Sequence, residues 1–276
     1  NRDITLRIFI LLYIIITIKM EKNTLNSMFE NLLHIWNKTN FWNAKMKPFI
    51  YGSVNGIHVI NLVKTWEKLE EVKKELEELS KSGKKILFVA TKIQSRDAFK
   101  KLAEETGHYY VTEKWVPGLL TNFRTIRKRI NSYLELLKDS ETWAFDVLTK
   151  KEKASKMLEL EKLDKAYSWL KEMKKIPDVV FASDGIYERQ ALREAEILNI
   201  KAYAVFNTNW DIDLVSNLIP ANTNSPKSFD YIASELKSSL PAFKAQQKAV
   251  VKKVIQDKVT KEPTTKPTTK KVEAES

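Results

Sequence analysis

The chain has 276 residues, a formal net charge of +12 at pH 7, no cysteine and only six glycines. Its length admits one sizeable α/β core with an appendage. The missing cysteines exclude disulfides, thiolate-ligated zinc, iron–sulfur centres and a thiol nucleophile, and six scattered glycines exclude a glycine-rich phosphate loop. The cation excess favours a polyanionic partner, nucleic acid or an acidic membrane surface, and says nothing about fold.

Ile8–Ile18 is an apolar run of 11 residues, shorter than the roughly 20 that span a bilayer as a helix. Residues 1–19 are therefore expected to be an upstream extension outside the working fold, with a membrane anchor as the second reading. Met20–Phe41 reads as an amphipathic helix carrying Leu25, Met28, Phe29, Leu32 and Leu33 at helical spacing. Pro48 stops any helix in the basic aromatic loop that follows. Asn55-Gly56 then supplies a positive-φ turn into a first strand, Gly56–Leu62. Trp66, Leu69, Val72, Leu76 and Leu79 mark a helix closed by Gly83, and Lys84–Ala90 is an apolar strand of the kind buried on both faces of a parallel sheet.

Ser95–Thr106 reads as a helix and Tyr109–Thr112 as a short strand, so the order β-α-β-α-β implies parallel strands. Thr121–Leu137 and Lys151–Lys174 are two helices joined by Lys138–Leu148. Their near-heptad spacing predicts a helical hairpin of coiled-coil type inserted at about 121–175. The sheet resumes with Asp178–Ser183 and Lys201–Phe206 around a helix from Tyr187 to Leu198, and Ser225-Pro226 opens a last helix through Leu240. Residues 241–276 are expected to be a lysine-bearing helix and a disordered tail, EPTTKPTTKK. The predicted fold is a flavodoxin- or Rossmann-like three-layer α/β domain over 20–240, built on a parallel sheet and interrupted by the hairpin.

Two groups of residues suggest RNA contact. Arg124, Arg127, Lys128 and Arg129 lie at the hairpin root with no acidic residue in the run, and 124, 127 and 128 share a helix face. Asn122, just ahead of them, is counted with this group. Trp42, Lys45, Lys47 and Tyr51 combine flat faces with cations, suited to stacking on bases or holding a structured RNA backbone. The competing reading makes the first group a solvated face and packs Trp42, Met46 and Phe49 onto the domain. His58 alternates into the apolar face of its strand as a core histidine, and neither His34 nor His108 has a metal-spaced partner, so no metal is expected.

The alternative class is a nucleotide- or metal-binding α/β enzyme. It would use Asn207, Asn209, Asp211 and Asp213, which follow a strand at the end where open parallel sheets bind ligands. Turn capping accounts for the same residues. Without a poised histidine, nucleophile or phosphate loop, no catalytic residue and no cofactor are assigned.

Six ordered blocks carry a family resemblance: WNAKMKPFIYGSVNGIHVINLVKT (Trp42–Thr65), KILFVATKIQ (Lys85–Gln94), WVPGLLTNFRTIRKRI (Trp115–Ile130), LTKKE (Leu148–Glu152), PDVVFASD (Pro177–Asp184) and NTNWDIDLVSNLIPAN (Asn207–Asn222). In order and spacing they resemble the bacterial-type small-subunit ribosomal protein 2 family, from about Leu33 to Leu240. The resemblance implies a non-enzymatic constituent of the small ribosomal subunit, bound to its rRNA between head and body. The implied partners are neighbouring ribosomal proteins, including in bacteria the large mRNA-binding protein built of OB-fold repeats. The implied location is the cytoplasm on the bacterial ribosome, or an organellar ribosome. The sequence departs from the family at Leu32-Leu33-His34-Ile35-Trp36-Asn37, where the family opens with Gly-x-His-x-Gly-His, at Ala44 in place of a usual proline, at Val116-Pro117 before Gly118, and at Gly185 after Asp184.

Overall fold

The computed structural model describes residues 24–40, 42–142, 149–171, 173–207 and 215–240. The expectations for residues 1–19, the 241–276 tail and most of the 207–213 loop fall outside these. The described chain opens with a helix over residues 24–30 (α1), which ends well short of the helix predicted to Phe41. Leu32 has a left-handed φ of 62°. Its N–H donates to the Phe29 carbonyl at 3.0 Å, and the Leu33 N–H to that of Met28 at 3.1 Å. That is a Schellman closure, made with leucine where glycine usually sits. The chain then enters strand β1 (Ile35–Lys38).

A 3-10 helix, Ala44–Phe49, leads into β2 (Ile50–Val54), and the Asn55-Gly56 turn, with φ of 51° and 74°, leads into β3 (Ile57–Ile60). The three strands pair antiparallel in the order β1-β3-β2. The predicted first strand thus belongs to a separate small sheet and not to the parallel one. Its neighbours β1 and β2 were not foreseen.

Helix α2 (Leu62–Lys81) is capped by Asn61, whose Oδ1 accepts from the Val63 N–H at 3.1 Å, and closes at Gly83 with φ 80°. The main sheet then forms from β4 (Ile86–Val89), α3 (Ile93–Thr106), β5 (Tyr109–Val111), α4 (Phe123–Glu141), α5 (Lys150–Tyr167), β6 (Val179–Ala182), α6 (Arg189–Ile197), β7 (Lys201–Phe206), β8 (Asn217–Pro220) and α7 (Pro226–Ser239). Its strand order is β5-β4-β6-β7-β8, all parallel. Numbered along the chain this is 2-1-3-4-5, the flavodoxin-like winding, with its switch point between β4 and β6.

Alternation along the strands separates two core layers. On one face Ile86, Phe88, Val179, Phe181, Tyr203, Val205 and Ile219 pack with Leu69, Val72 and Leu76 of α2, Phe99 of α3 and Phe229, Ile232 and Leu236 of α7. On the other, Leu87, Val89, Val180, Ala182, Ala204 and Phe206 pack with Ile126, Ile130 and Tyr133 of α4, Tyr167 of α5, Ala191 and Ala195 of α6, Trp36 and Ile60 of the small sheet, and Met46 of the 3-10 helix. Burying an aliphatic side chain contributes about 1.5–3 kcal/mol, so these layers are the main source of stability.

Helices α4 and α5 pack against each other. The buried Tyr133 hydroxyl donates to Asp164 across the pair, and Leu160, Leu163 and Ala166 pack against the same cluster. Thr149 and Glu152 form a capping box at the start of α5. Met157, expected on the seam, is exposed, and α5 gives way to a 3-10 turn, Ser168–Leu170, before the predicted end at Lys174. Residues 143–148 lie outside the described residues.

Candidate nucleic-acid interface

One buried carboxylate positions the start of α4. Glu194 of α6 is 2% exposed and accepts from Trp115 Nε1 at 3.0 Å, Gly118 N–H at 2.8 Å, Leu120 N–H at 3.0 Å and Thr121 N–H at 3.3 Å. Gly118 supplies the φ of 83° that lets these amides converge. Burial by itself would push Glu194 up, but the donors outweigh it and hold the carboxyl below the ordinary glutamate range. The 115–121 loop is thereby fixed to the sheet layer, and with it the start of α4.

From that start, Arg124, Arg127, Lys128 and Asn131 recur at i, i+3, i+4 and i+7 along one side of α4. With Asn122, Leu120, Thr121, Phe123, Ile176 and Leu198 they line a groove of about 590 Å³ that contains no acidic residue. Arg127 donates to the Met173 carbonyl at 3.2 Å, which holds the root of α4 against the chain leaving α5. Arg124 and Lys128 are exposed, and neither pairs with a carboxylate among the described residues. Arg129 is exposed too but lies outside the groove. Of the predicted cluster, Asn122, Arg124, Arg127 and Lys128 therefore converge and Arg129 does not.

The second predicted group lies on and just ahead of the 3-10 helix and on β2, and none of it lines that groove. Asn43 Oδ1 accepts from the Lys45 N–H at 3.0 Å and starts the 3-10 helix, which buries Met46 and leaves Lys45 and Lys47 exposed. Trp42 remains 43% exposed while its ring meets His58 edge-on, at 5.8 Å between centroids. Tyr51 is 80% exposed. Met46 and Phe49 carry the packing, and Trp42 and Tyr51 present faces to solvent.

The ends of the central strands hold polar groups that sequence reasoning passed over. Between β4 and β6, Lys92 Nζ pairs with Asp184 Oδ2 at 2.7 Å, and Thr91 donates to Glu188 Oε1 through its N–H at 2.6 Å and its hydroxyl at 2.7 Å. A crevice of about 780 Å³ opens there, lined among others by Lys92, Arg96, Lys114, Trp115, Tyr187 and Glu188. Burial pushes Glu188 up to about 6 against the pull of the Thr91 bonds, and the Asp184 charge adds to the rise. The available signal was a polar pair after each apolar strand, Thr91-Lys92 after ILFVA and Ser183-Asp184 after VVFA.

Asn207, the described residue of the alternative ligand loop, is buried, and its Nδ2 donates to Asn37 Oδ1 and Thr223 Oγ1, each at 3.4 Å, tying β7 to the small sheet. Asn209, Asp211 and Asp213 lie outside the described residues. His34 is lowered by burial and stacks on Phe29 at 4.1 Å. His108 is pushed down to about 4 by burial, with the Lys85 charge adding to it. Among the described residues no three His, Asp or Glu side chains are placed to hold a metal, and no helix is long and apolar enough to cross a membrane.

A family model described as ribosomal protein S2 matches residues 28–242. The small ribosomal subunit protein uS2 of Coprothermobacter proteolyticus is 42% identical over 228 residues, 83% of this chain and 85% of that protein. That of Fusobacterium nucleatum subsp. nucleatum is 39% identical over 222 residues, 80% of this chain and 90% of that protein.

Proposed function

Since this chain belongs to the ribosomal protein S2 family, we propose that it serves as a structural constituent of the small ribosomal subunit, docking on small-subunit rRNA between head and body. The family is structural and non-enzymatic, so the chain's work is assembly and positioning and not turnover. Its cations neutralise phosphates, and phosphate contacts supply much of the affinity of such interfaces.

The observation that carries this reading is the convergence of Arg124, Arg127 and Lys128 on an acid-free groove whose position is set by Glu194. Trp42, Lys45, Lys47 and Tyr51 form a second contact surface, where exposed rings suit unstacked bases or riboses. Arg129 adds to the general positive field. The hairpin extends this reach to rRNA elements beyond the globular part. Neighbouring small-subunit proteins, and the large mRNA-binding protein built of OB-fold repeats, are its protein partners, and its place is the bacterial ribosome in the cytoplasm.

The test is co-sedimentation of the tagged full chain with small subunits at moderate salt. Stoichiometric recovery in the small-subunit peak is expected. Recovery only at the top of the gradient, from cells in which the small subunits are intact, would overturn the reading.

A further inference from the structure

The groove at the root of α4 has features that phosphate neutralisation alone does not require. Cations facing a duplex backbone need only project from a convex helix. Here they border a concavity of about 590 Å³, within the range of roughly 300–1,000 Å³ typical of small-molecule sites. Phe123, Ile176 and Leu198 give it an apolar lining, and Ile176 and Leu198 are 41% and 36% exposed. Asn122 and Asn131 also line it. Neither side-chain carboxamide has a hydrogen-bond partner among the described residues, and Asn122 leaves its N-cap bond unmade.

A carboxamide offers a donor and an acceptor side by side, the complement of a base edge. Proteins read RNA sequence at unpaired nucleotides whose bases are splayed out, laid on apolar or aromatic surfaces and hydrogen-bonded at their edges. We propose that this groove receives one unpaired nucleotide of the small-subunit rRNA. Its base lies on Phe123, Ile176 and Leu198, its edge meets Asn131 and Asn122, and its flanking phosphates rest on Arg124 and Lys128. The inference rests on the rRNA-binding reading above and deepens it from charge neutralisation to recognition of an extruded base. The absence of any carboxylate from the lining selects an anionic occupant and disfavours a basic peptide.

The test binds the full chain to full-length small-subunit rRNA. Dimethyl sulfate reads the Watson–Crick edges of A and C, and a carbodiimide those of G and U. Wild type should protect at least one unpaired base. Asn131→Ala should expose that base again and weaken binding about tenfold, with an unchanged slope of log affinity against log salt because no cation is lost. Asn131 is exposed, and alanine favours the helix, so this variant keeps the fold. Ile176→Ser on the lining should expose the same base. Arg124→Gln with Lys128→Gln should flatten the slope instead.

If the paired substitution flattens the slope while protection is identical in wild type and Asn131→Ala, the groove touches phosphates only; this inference falls and the rRNA-binding reading stands. If neither slope nor protection responds to any variant, the groove does not face RNA and both fall. A crosslink from a photoreactive residue at position 131 to a ribosomal protein, in place of RNA, would likewise overturn the inference.

Discussion

Glu194 of α6 accepts the indole N–H of Trp115 at 3.0 Å, joining two residues 79 positions apart in the chain. With the amides of Gly118, Leu120 and Thr121 on the same carboxylate, this bond fixes where α4 begins and therefore where its cations point. Glu194→Ala should cost about 2–5 kcal/mol, because several buried donors lose their partner together. Glu194→Gln should cost less but stay well below wild type, since its amide group turns a donor toward donors. The folded carboxyl lies below the ordinary glutamate value, so its contribution is complete above that value and is lost as pH falls through the folded pKa. Urea unfolding from pH 7 to pH 3 should show the gap between wild type and Glu194→Gln constant down to about pH 4.5 and then closing.

Leu32 holds a left-handed φ of 62°, a conformation that glycine adopts without a Cβ penalty. Alanine there would keep the backbone strain and lose the half-buried side chain, whereas glycine relieves the strain. Leu32→Gly should thus be more stable than Leu32→Ala by about 1 kcal/mol, the reverse of the order at an ordinary helical or extended site. Thermal unfolding of the two variants side by side decides it, and an alanine variant more stable than the glycine one would show that no strain is held at Leu32.

Glu188 and His108 act in opposite directions below neutrality. Glu188 is raised to about 6 in the folded protein, so between about pH 6 and 4.5 the native state takes up a proton that the unfolded chain does not, and stability gains up to about 2 kcal/mol. His108 is lowered to about 4, so from about pH 6.5 downward the unfolded chain is protonated first and stability falls by up to about 3 kcal/mol. Glu188→Gln keeps an acceptor for Thr91 and removes the buried charge. It should be more stable than wild type at pH 7, and the advantage should vanish by about pH 4.5. A constant advantage across that range would mean Glu188 titrates normally.

Much of this fold was legible because period and burial agree. The strands ILFV and VVFA are fully buried, and the three- and four-residue spacing through Leu69, Val72 and Leu76 faces one core layer. The failures have local causes. Leu25 to Leu33 keeps helical spacing across a helix end, because the left-handed residue is leucine and carries no glycine signal. Strand β8 is four residues, NLIP, too short and too punctuated by Asn and Pro to show alternation. At the candidate site, the cation stripe was visible in RTIRK. The role of Glu194 was not, because it depends on bonds spanning 73 to 79 residues. The groove was hidden for the same reason, since Ile176 and Leu198 reach it from other elements.

If the side of α4 bearing Arg124 and Lys128 meets rRNA phosphates, a salt titration must register the loss of those two cations. Binding of wild type, Arg124→Gln with Lys128→Gln, and Arg129→Gln to a defined small-subunit rRNA fragment is measured across a range of salt, with circular dichroism confirming equal helix content. Glutamine has nearly the helix propensity of the residues it replaces. Each lost phosphate contact flattens the slope of log affinity against log salt by about 0.7–0.9, so the double variant should flatten it by roughly 1.4–1.8. Arg129→Gln, outside the groove, should change it by less than about half a contact. A slope in the double variant equal to that of wild type would contradict the account.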